Sequence, residues 1–349
     1  MKRLVDYLAS FYTPAEYPVL EAQLQSWSTE KPLTGMKILD ATPIFRNTLV
    51  KYLVLLAGGA DLTVSVGRDI PCDPEIVALV PEFGIRVADP QILQETFDAV
   101  ADCGGRHKNV RSKYGYAELT RSGLEYYRNC EQSVFSVDSG ILKRFETTIG
   151  TGESFVRAMK HLGYRDFTGK TVVIFGGGKV GKGCAFYAAV NGAKTVIVDR
   201  CEIVPPPQVS FINSTDRDAI DNLLKNSWCV VSATGLAETL KEYVPALLAS
   251  DCLIANMGVE DEFGSALPPD RVLNQKQPLN FLLDEPTRLH CIDPSMALSN
   301  AALLMLINKE VAPGINLPPQ EMELAMIGDI RRAGIMNDEI NMILKECNL

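Results

Sequence analysis

Short apolar runs alternate with stretches of helical period along almost the whole chain, the pattern of an α/β fold with largely parallel sheets. In the first part, strands are predicted over residues 37–41, 62–66, 85–88 and 99–102, and another over 134–137. The clearest helix between them is 46–56, with Leu49, Tyr52, Leu53 and Leu56 on one face. Residues 140–147 read as helical, and Gly150-Thr151-Gly152 as a hinge before a helix through His161. Further strands are predicted over 172–175, 195–198, 209–212, 229–232, 253–255 and 280–283. Pro205-Pro206-Pro207 is a stiff surface connection, and Pro294-Ser295 opens an apolar helix over 296–308 that returns the chain to the first domain. Residues 320–332 and 337–347 read as two amphipathic helices.

One segment of this pattern carries chemistry. Val172 to Phe175 feeds into Gly176-Gly177-Gly178-Lys179-Val180-Gly181, a Gly-x-Gly-x-x-Gly turn that opens a helix to about residue 191. A strand over 194–198 follows, with Asp199 at its C-terminal end. Strand, turn, helix, strand and acid together form a dinucleotide-binding fingerprint. Gly176 allows the turn, Gly178 lets the backbone approach a pyrophosphate at the helix start, and Gly181 lets the helix pack on the strand. Asp199 is placed to accept hydrogen bonds from the adenosine ribose, which favours NAD over NADP, although Arg200 beside it suits a 2′-phosphate. Lys179 and Lys182 flank the turn. Thr234, Gly235 and Asn256 fall at strand C-terminal ends, where such ligands bind, and where ordinary turns also occur.

At 349 residues the chain exceeds one comfortable core, so two domains are expected: 151–294 as the Rossmann-type dinucleotide-binding domain, and 1–150 plus 295–349 as a flavodoxin/Rossmann-like α/β domain with a helical C-terminal tail. A net charge of -9 argues against nucleic acid or an anionic membrane as partner. No apolar run suggests a bilayer span, and no long apolar core follows Lys2-Arg3, so no secretory leader is expected. Nine cysteines without Cys-x-x-Cys pairs read as reduced thiols of a cytoplasmic protein, and three histidines without ligand spacing argue against a metal site.

Several blocks resemble S-adenosylhomocysteine hydrolase. Lys31-Pro32-Leu33-Thr34-Gly35 is similar to that family's entry to its substrate domain, and Asp102-Cys103-Gly104-Gly105 to its Asp-Asp-Gly-Gly turn. Phe145-Glu146, Gly150 and Glu153-Ser154 resemble the approach to its cofactor domain, and Phe167 to Ala185 is the most similar stretch. Ala233-Thr234-Gly235, Asn256-Met257-Gly258 and Pro294 to Asn300 match further blocks. The resemblance implies tightly bound NAD that oxidises a ribose hydroxyl, surrounded by acid–base groups. Those groups are replaced here: the family's histidines fall on Pro43, Val259 and Asp293, an aspartate on Cys103, a lysine on Leu142, a glutamate near Leu119, and Asp-Asn on Glu146-Thr147. A counterpart of the family's C-terminal extension is not expected. Leucine cannot move a proton, so hydrolysis of S-adenosylhomocysteine is expected to be absent or very weak.

The resemblance places the substrate, a small molecule, in an interdomain cleft. The polar residues it leaves there are Cys103, Arg106, Glu118, Arg121, Ser122, Asp138, Lys143, Glu146, His290 and Asp293. Glu146 stands at the family's aspartate position and reads as an acid or base, or as a solvated helix-end carboxylate. Cys103 reads as a nucleophile or a packed small residue, and His290 and Asp293 complete the catalytic candidates. Two functions remain open: an NAD-dependent oxidoreductase on another metabolite, or an inactive NAD-binding regulator. Residual hydrolase chemistry is a weaker third. A homodimer is expected.

Overall fold

The computed structural model describes residues 1–67, 71–347 and 349. The chain forms two compact units, one of Met1–Phe145 with Leu289–Leu349 and the other of Glu146–Arg288. The sequence placed the crossings at 150 and 294; the chain crosses instead after Phe145 and after Arg288.

The first unit is built on β1 (Lys37–Asp40), β2 (Asp61–Val64), β3 (Arg86–Val87), a two-residue strand β4 (Thr96–Phe97), β5 (Ala99–Asp102), β6 (Arg111–Ser112), β7 (Tyr116–Glu118) and β8 (Ser133–Ser136). The second carries β9 (Thr171–Phe175), β10 (Lys194–Asp199), β11 (Val209–Asn213), β12 (Cys229–Ser232) and β13 (Leu253–Asn256), and β14 (Gly314–Asn316) belongs to the first again. The large sheet runs β14-β8-β7-β5-β1-β2-β3 with every pairing parallel. Setting aside the separate β4–β6 ribbon, its order follows the Rossmann rather than the flavodoxin scheme, with the chain reversing direction beside β1. Where a glycine turn would follow β1, Asp40 forms a fully buried ion pair with Lys51 of the Thr48–Ala57 helix, and Lys51 also donates to Thr42 Oγ1 at 2.8 Å.

The second unit's sheet runs β11-β10-β9-β12-β13, all parallel, which puts β9 at the centre and the reversal between β9 and β12. Both of its faces are covered: Val172, Ile174, Cys229 and Val231 pack on one side, Val173, Phe175, Val230 and Ile254 on the other. Near-continuous apolar strands such as Thr-Val-Val-Ile-Phe follow from this two-sided burial.

Four readings change. Residues 150–152 are no hinge: Phe145–Gly150 is a π-helical turn that runs into the α-helix Thr151–His161. A Cβ on Gly152 would lie 2.3 Å from the Gly183 carbonyl carbon, and one on Gly183 would lie 1.8 Å from Thr148 O, so these glycines permit two helices to cross backbone to backbone. Residues 280–283 are no strand but lie in and beside the 3₁₀ turn Leu279–Leu282, entered from Pro278. A four-residue apolar run cannot by periodicity alone distinguish the two. The helix assigned to 296–308 is Leu289–Ile307, with Pro294 inside it. Finally, this helix is long and apolar enough to cross a membrane by composition, but most of it is buried inside the fold, where it packs on the Pro18–Glu30 and Thr48–Ala57 helices and on β5 and β7.

The two N-terminal helices, Lys2–Leu8 and Pro18–Glu30, had no sequence signature; only Val19, Leu20 and Trp27 of the second are buried, too few for a stripe. The C-terminal helices Gln320–Arg332 and Asn337–Glu346 are as expected.

Candidate functional site

The fingerprint turn is shaped by four glycines, each for a different reason. Gly176 leaves β9 with φ +103, and a Cβ there would lie 2.4 Å from Ala233 O on the neighbouring loop. Gly178 immediately precedes the Lys179–Val190 helix, and a Cβ on it would meet nothing within 4 Å. Gly181 faces back on the turn, its Cβ position only 1.8 Å from Gly176 O. Gly177, in between, would strike Ile203 at 2.6 Å. The open space over Gly178, at the positive end of a 12-residue helix whose N-cap provides no side-chain hydrogen bond, is a cradle for an anion.

Asp199 closes β10 and faces this turn. Its Oδ2 accepts the Gly177 N–H at 2.6 Å and its Oδ1 the Cys201 N–H at 2.9 Å. Each carboxylate oxygen keeps a further acceptor position. A cavity of about 480 Å³ opens here, at the C-terminal ends of β9 and β10, lined by Gly176, Gly177, Gly178, Asp199, Arg200 and Thr234 together with Cys201, Ile203, Ser214, Arg217 and Tyr243. Arg217 is held by Glu242 at 2.8 Å and by the Tyr243 hydroxyl. The last five lie after β10, after β11 and beyond β12, and sequence reading missed them because no local motif marks them. Turn, anion cradle and ribose-facing acid fit a dinucleotide.

Of the other cofactor candidates, Thr234 lines the cavity, and Lys179, Val180, Gly181, Gly235 and Asn256 are not among its lining residues. Lys179 and Val180 form the first turn of the helix, and Gly181 is packed beneath it. Asn256 is 1% exposed and its amide is fully engaged: Oδ1 accepts from Ser232 Oγ and the Gly258 N–H, and Nδ2 donates to Glu260 O and Lys276 O. Thr234 and Gly235 give their N–H groups to Glu262, a residue the sequence did not single out.

In the first unit the structure gives most candidates scaffolding work. Asp293 is completely buried and accepts the Val19 and Leu20 N–H groups at 3.0 and 2.8 Å, so it caps the Pro18–Glu30 helix from 274 and 273 residues away. Burial lifts its carboxyl to about 7. This corrects its assignment as a catalytic residue. Glu118, also buried, accepts from the Gly104, Gly105 and Thr120 N–H groups and the Thr120 hydroxyl, and burial raises its pKa. Asp102 accepts from the Cys103 and His107 N–H groups and the Tyr127 hydroxyl. Cys103 is therefore a buried residue in a turn braced by two carboxylates. Asp138 and Lys143 are buried, and His290 is half-buried in the first turn of the Leu289–Ile307 helix. Glu146, half-buried, lies in the π-helical turn of the second unit. All nine cysteines are free thiols, and no metal-binding cluster exists among the described residues.

Fold and cavity thus define a dinucleotide-binding α/β protein. Residues 147–265 match the family described as S-adenosyl-L-homocysteine hydrolase, NAD binding domain. Adenosylhomocysteinase of Thermoplasma acidophilum is 25% identical over 273 residues, 69% of this chain and 66% of that protein. The enzyme of Aeropyrum pernix is 27% identical over 211 residues, 52% of this chain and 51% of that protein. The chain thus spans between half and about two thirds of the length of these relatives. A dipicolinate synthase polypeptide of Bacillus halodurans shares the fold, with a TM-score of 0.53 at 13% identity, covering 79% of this chain and 99% of that one. The second unit thus carries an NAD-binding domain of the S-adenosylhomocysteine hydrolase type, the chain is similar to that family's enzymes at low identity, and NAD is its cofactor.

Proposed function

We propose that the protein is an NAD-dependent oxidoreductase acting on a small metabolite other than S-adenosylhomocysteine. The observation that carries this reading is the contrast within one chain: the Gly176–Gly181 turn and Asp199 form an intact dinucleotide cradle, while Asp293, at a position of a family histidine, is sealed in the core as a helix cap. NAD supplies hydride acceptance, and hydride transfer then needs only one further acid–base group, a smaller demand than an elimination and hydration cycle. In this reading the helix start at Gly178 binds the diphosphate, Asp199 orients the adenosine ribose, and Arg200 and Arg217 border the same cavity. Glu146 is the proposed acid–base residue, because π-helical turns gather at functional sites. His290 and Cys103 are subordinate candidates. The protein is further assigned a cytoplasmic location, a homodimeric state and no nucleic-acid or membrane partner.

The structural commitments of Asp293, Glu118 and Asp102 favour a second reading, an NAD-binding regulator without turnover. The ultraviolet spectrum of purified protein separates the two. Bound nicotinamide that changes redox state when a pool of small metabolites is added supports the enzyme; cofactor inert through the screen supports the regulator.

A further inference from the structure

Glu262 has the most specific unexplained geometry in the second unit. Its side chain is wholly buried, yet it lies in a loop after β13 and is charged by nature. Oε2 accepts the Thr234 N–H at 2.9 Å and the Thr234 hydroxyl at 2.7 Å, and Oε1 accepts the Gly235 N–H at 2.8 Å. Thr234 Oγ1 in turn accepts the Leu236 N–H at 3.2 Å. Gly258 leaves room for this carboxylate, since a Cβ there would lie 2.3 Å from Oε1. Backbone bonds from Glu238 to Asp261 O and from Leu240 to Glu262 O lace the same two loops together.

The loop so held is functional in position. It follows β12 across the sheet reversal, Ala233 packs against Gly176, and Thr234, Leu236 and Leu240 line the cofactor cavity. We infer that Glu262 is a positioning residue for NAD: its ionised carboxylate collects the donors of Thr234 and Gly235 and so fixes the cavity wall opposite Asp199. The inference rests on the assignment of this cavity to NAD.

An ionised carboxylate accepts all three donors at once. A protonated one carries a hydrogen that competes with them, and one donor of the buried loop loses its partner. Burial raises the pKa of Glu262, Glu260 adds to the rise, and the bonds from Thr234 and Gly235 oppose it. The other charges on the packed loops are mutually paired, Asp261 with Lys276 and Glu238 with Lys241. NAD affinity therefore falls as pH drops, beginning above the range of an ordinary glutamate.

The test is calorimetric titration of NAD into the full chain across an acidic-to-neutral pH series, for wild type, Glu262→Gln and Thr234→Val, with thermal melts of each ligand-free protein. Glutamine sets an amide donor against a loop donor at every pH. The expected result is a cooperative melt with NAD affinity at neutral pH at least roughly tenfold weaker, and a pH profile flatter than wild type. Thr234→Val, which removes one donor and keeps the carboxylate, falls between the two in affinity and retains the pH dependence. Wild-type affinity and pH profile in folded Glu262→Gln would overturn the inference, as would an unfolded Glu262→Gln alongside a Thr234→Val of wild-type affinity. Wild type that binds NAD while Gly178→Val binds it equally well shows instead that the cavity assignment itself has failed.

Discussion

Asp199 Oδ2 accepts the Gly177 N–H at 2.6 Å, so one carboxylate ties the end of β10 to the turn that follows β9. The bond spans 22 residues and joins the two parts of the fingerprint that recognise different halves of a dinucleotide, the sugar and the diphosphate. Asp199 is thus a brace for the glycine turn, and in the proposed function it is also the group that faces the ribose.

Replacing Asp199 by alanine removes both functions. Losing charge-assisted bonds of about 1.5–3 kcal/mol should weaken NAD roughly ten- to a hundredfold. Selectivity against NADP should narrow, because the repelling carboxylate is gone while Arg200 and Arg217 remain in the cavity wall. Titration of both dinucleotides into the variant checks this; unchanged selectivity would place the ribose elsewhere.

The glycines of the turn should separate stability from binding. Gly178→Val adds side chain to open space and should leave the melting temperature near wild type while abolishing measurable NAD binding. Gly181→Ala forces a methyl group to within 1.8 Å of Gly176 O and should cost about 1–3 kcal/mol of stability, because backbone must move. Thermal melts with and without NAD distinguish the two.

Asp293 predicts a pH dependence of stability in the first unit. Its folded carboxyl titrates near about 7 against an ordinary 3.8, so the folded state favours its protonated form. The corresponding stability is complete below about pH 4 and is lost as pH rises through about 7, an effect on the order of 4 kcal/mol. Asp293→Asn should melt with a flatter pH dependence over this interval. A variant that keeps the wild-type slope would assign the titration to another group.

Leu142, Val259 and Pro43 occupy positions where the adenosylhomocysteinase resemblance places proton-moving groups. Purified protein supplied with NAD and S-adenosylhomocysteine should release no homocysteine above the uncatalysed background in a thiol assay. Measurable release would restore the hydrolase reading.

The sequence by itself determined the cofactor half of this protein. Strand, glycine turn, helix, strand and acid lie within 29 consecutive residues, Thr171 to Asp199, so local spacing dictates their geometry. Both α/β sheets were legible for the same reason, apart from the three-residue strands β7 and β14, which are too short to show a period. Tertiary structure alone decided what the isolated polar residues do. Asp293 resembled a catalytic acid until Val19 and Leu20, more than 270 residues away, claimed it as a cap. Asn256 looked like a ligand contact, but its neighbours take every amide bond, while Glu262 carried no motif and became the brace of Thr234. A buried polar side chain must find partners, and only the folded chain determines whether those partners are its own backbone or a ligand.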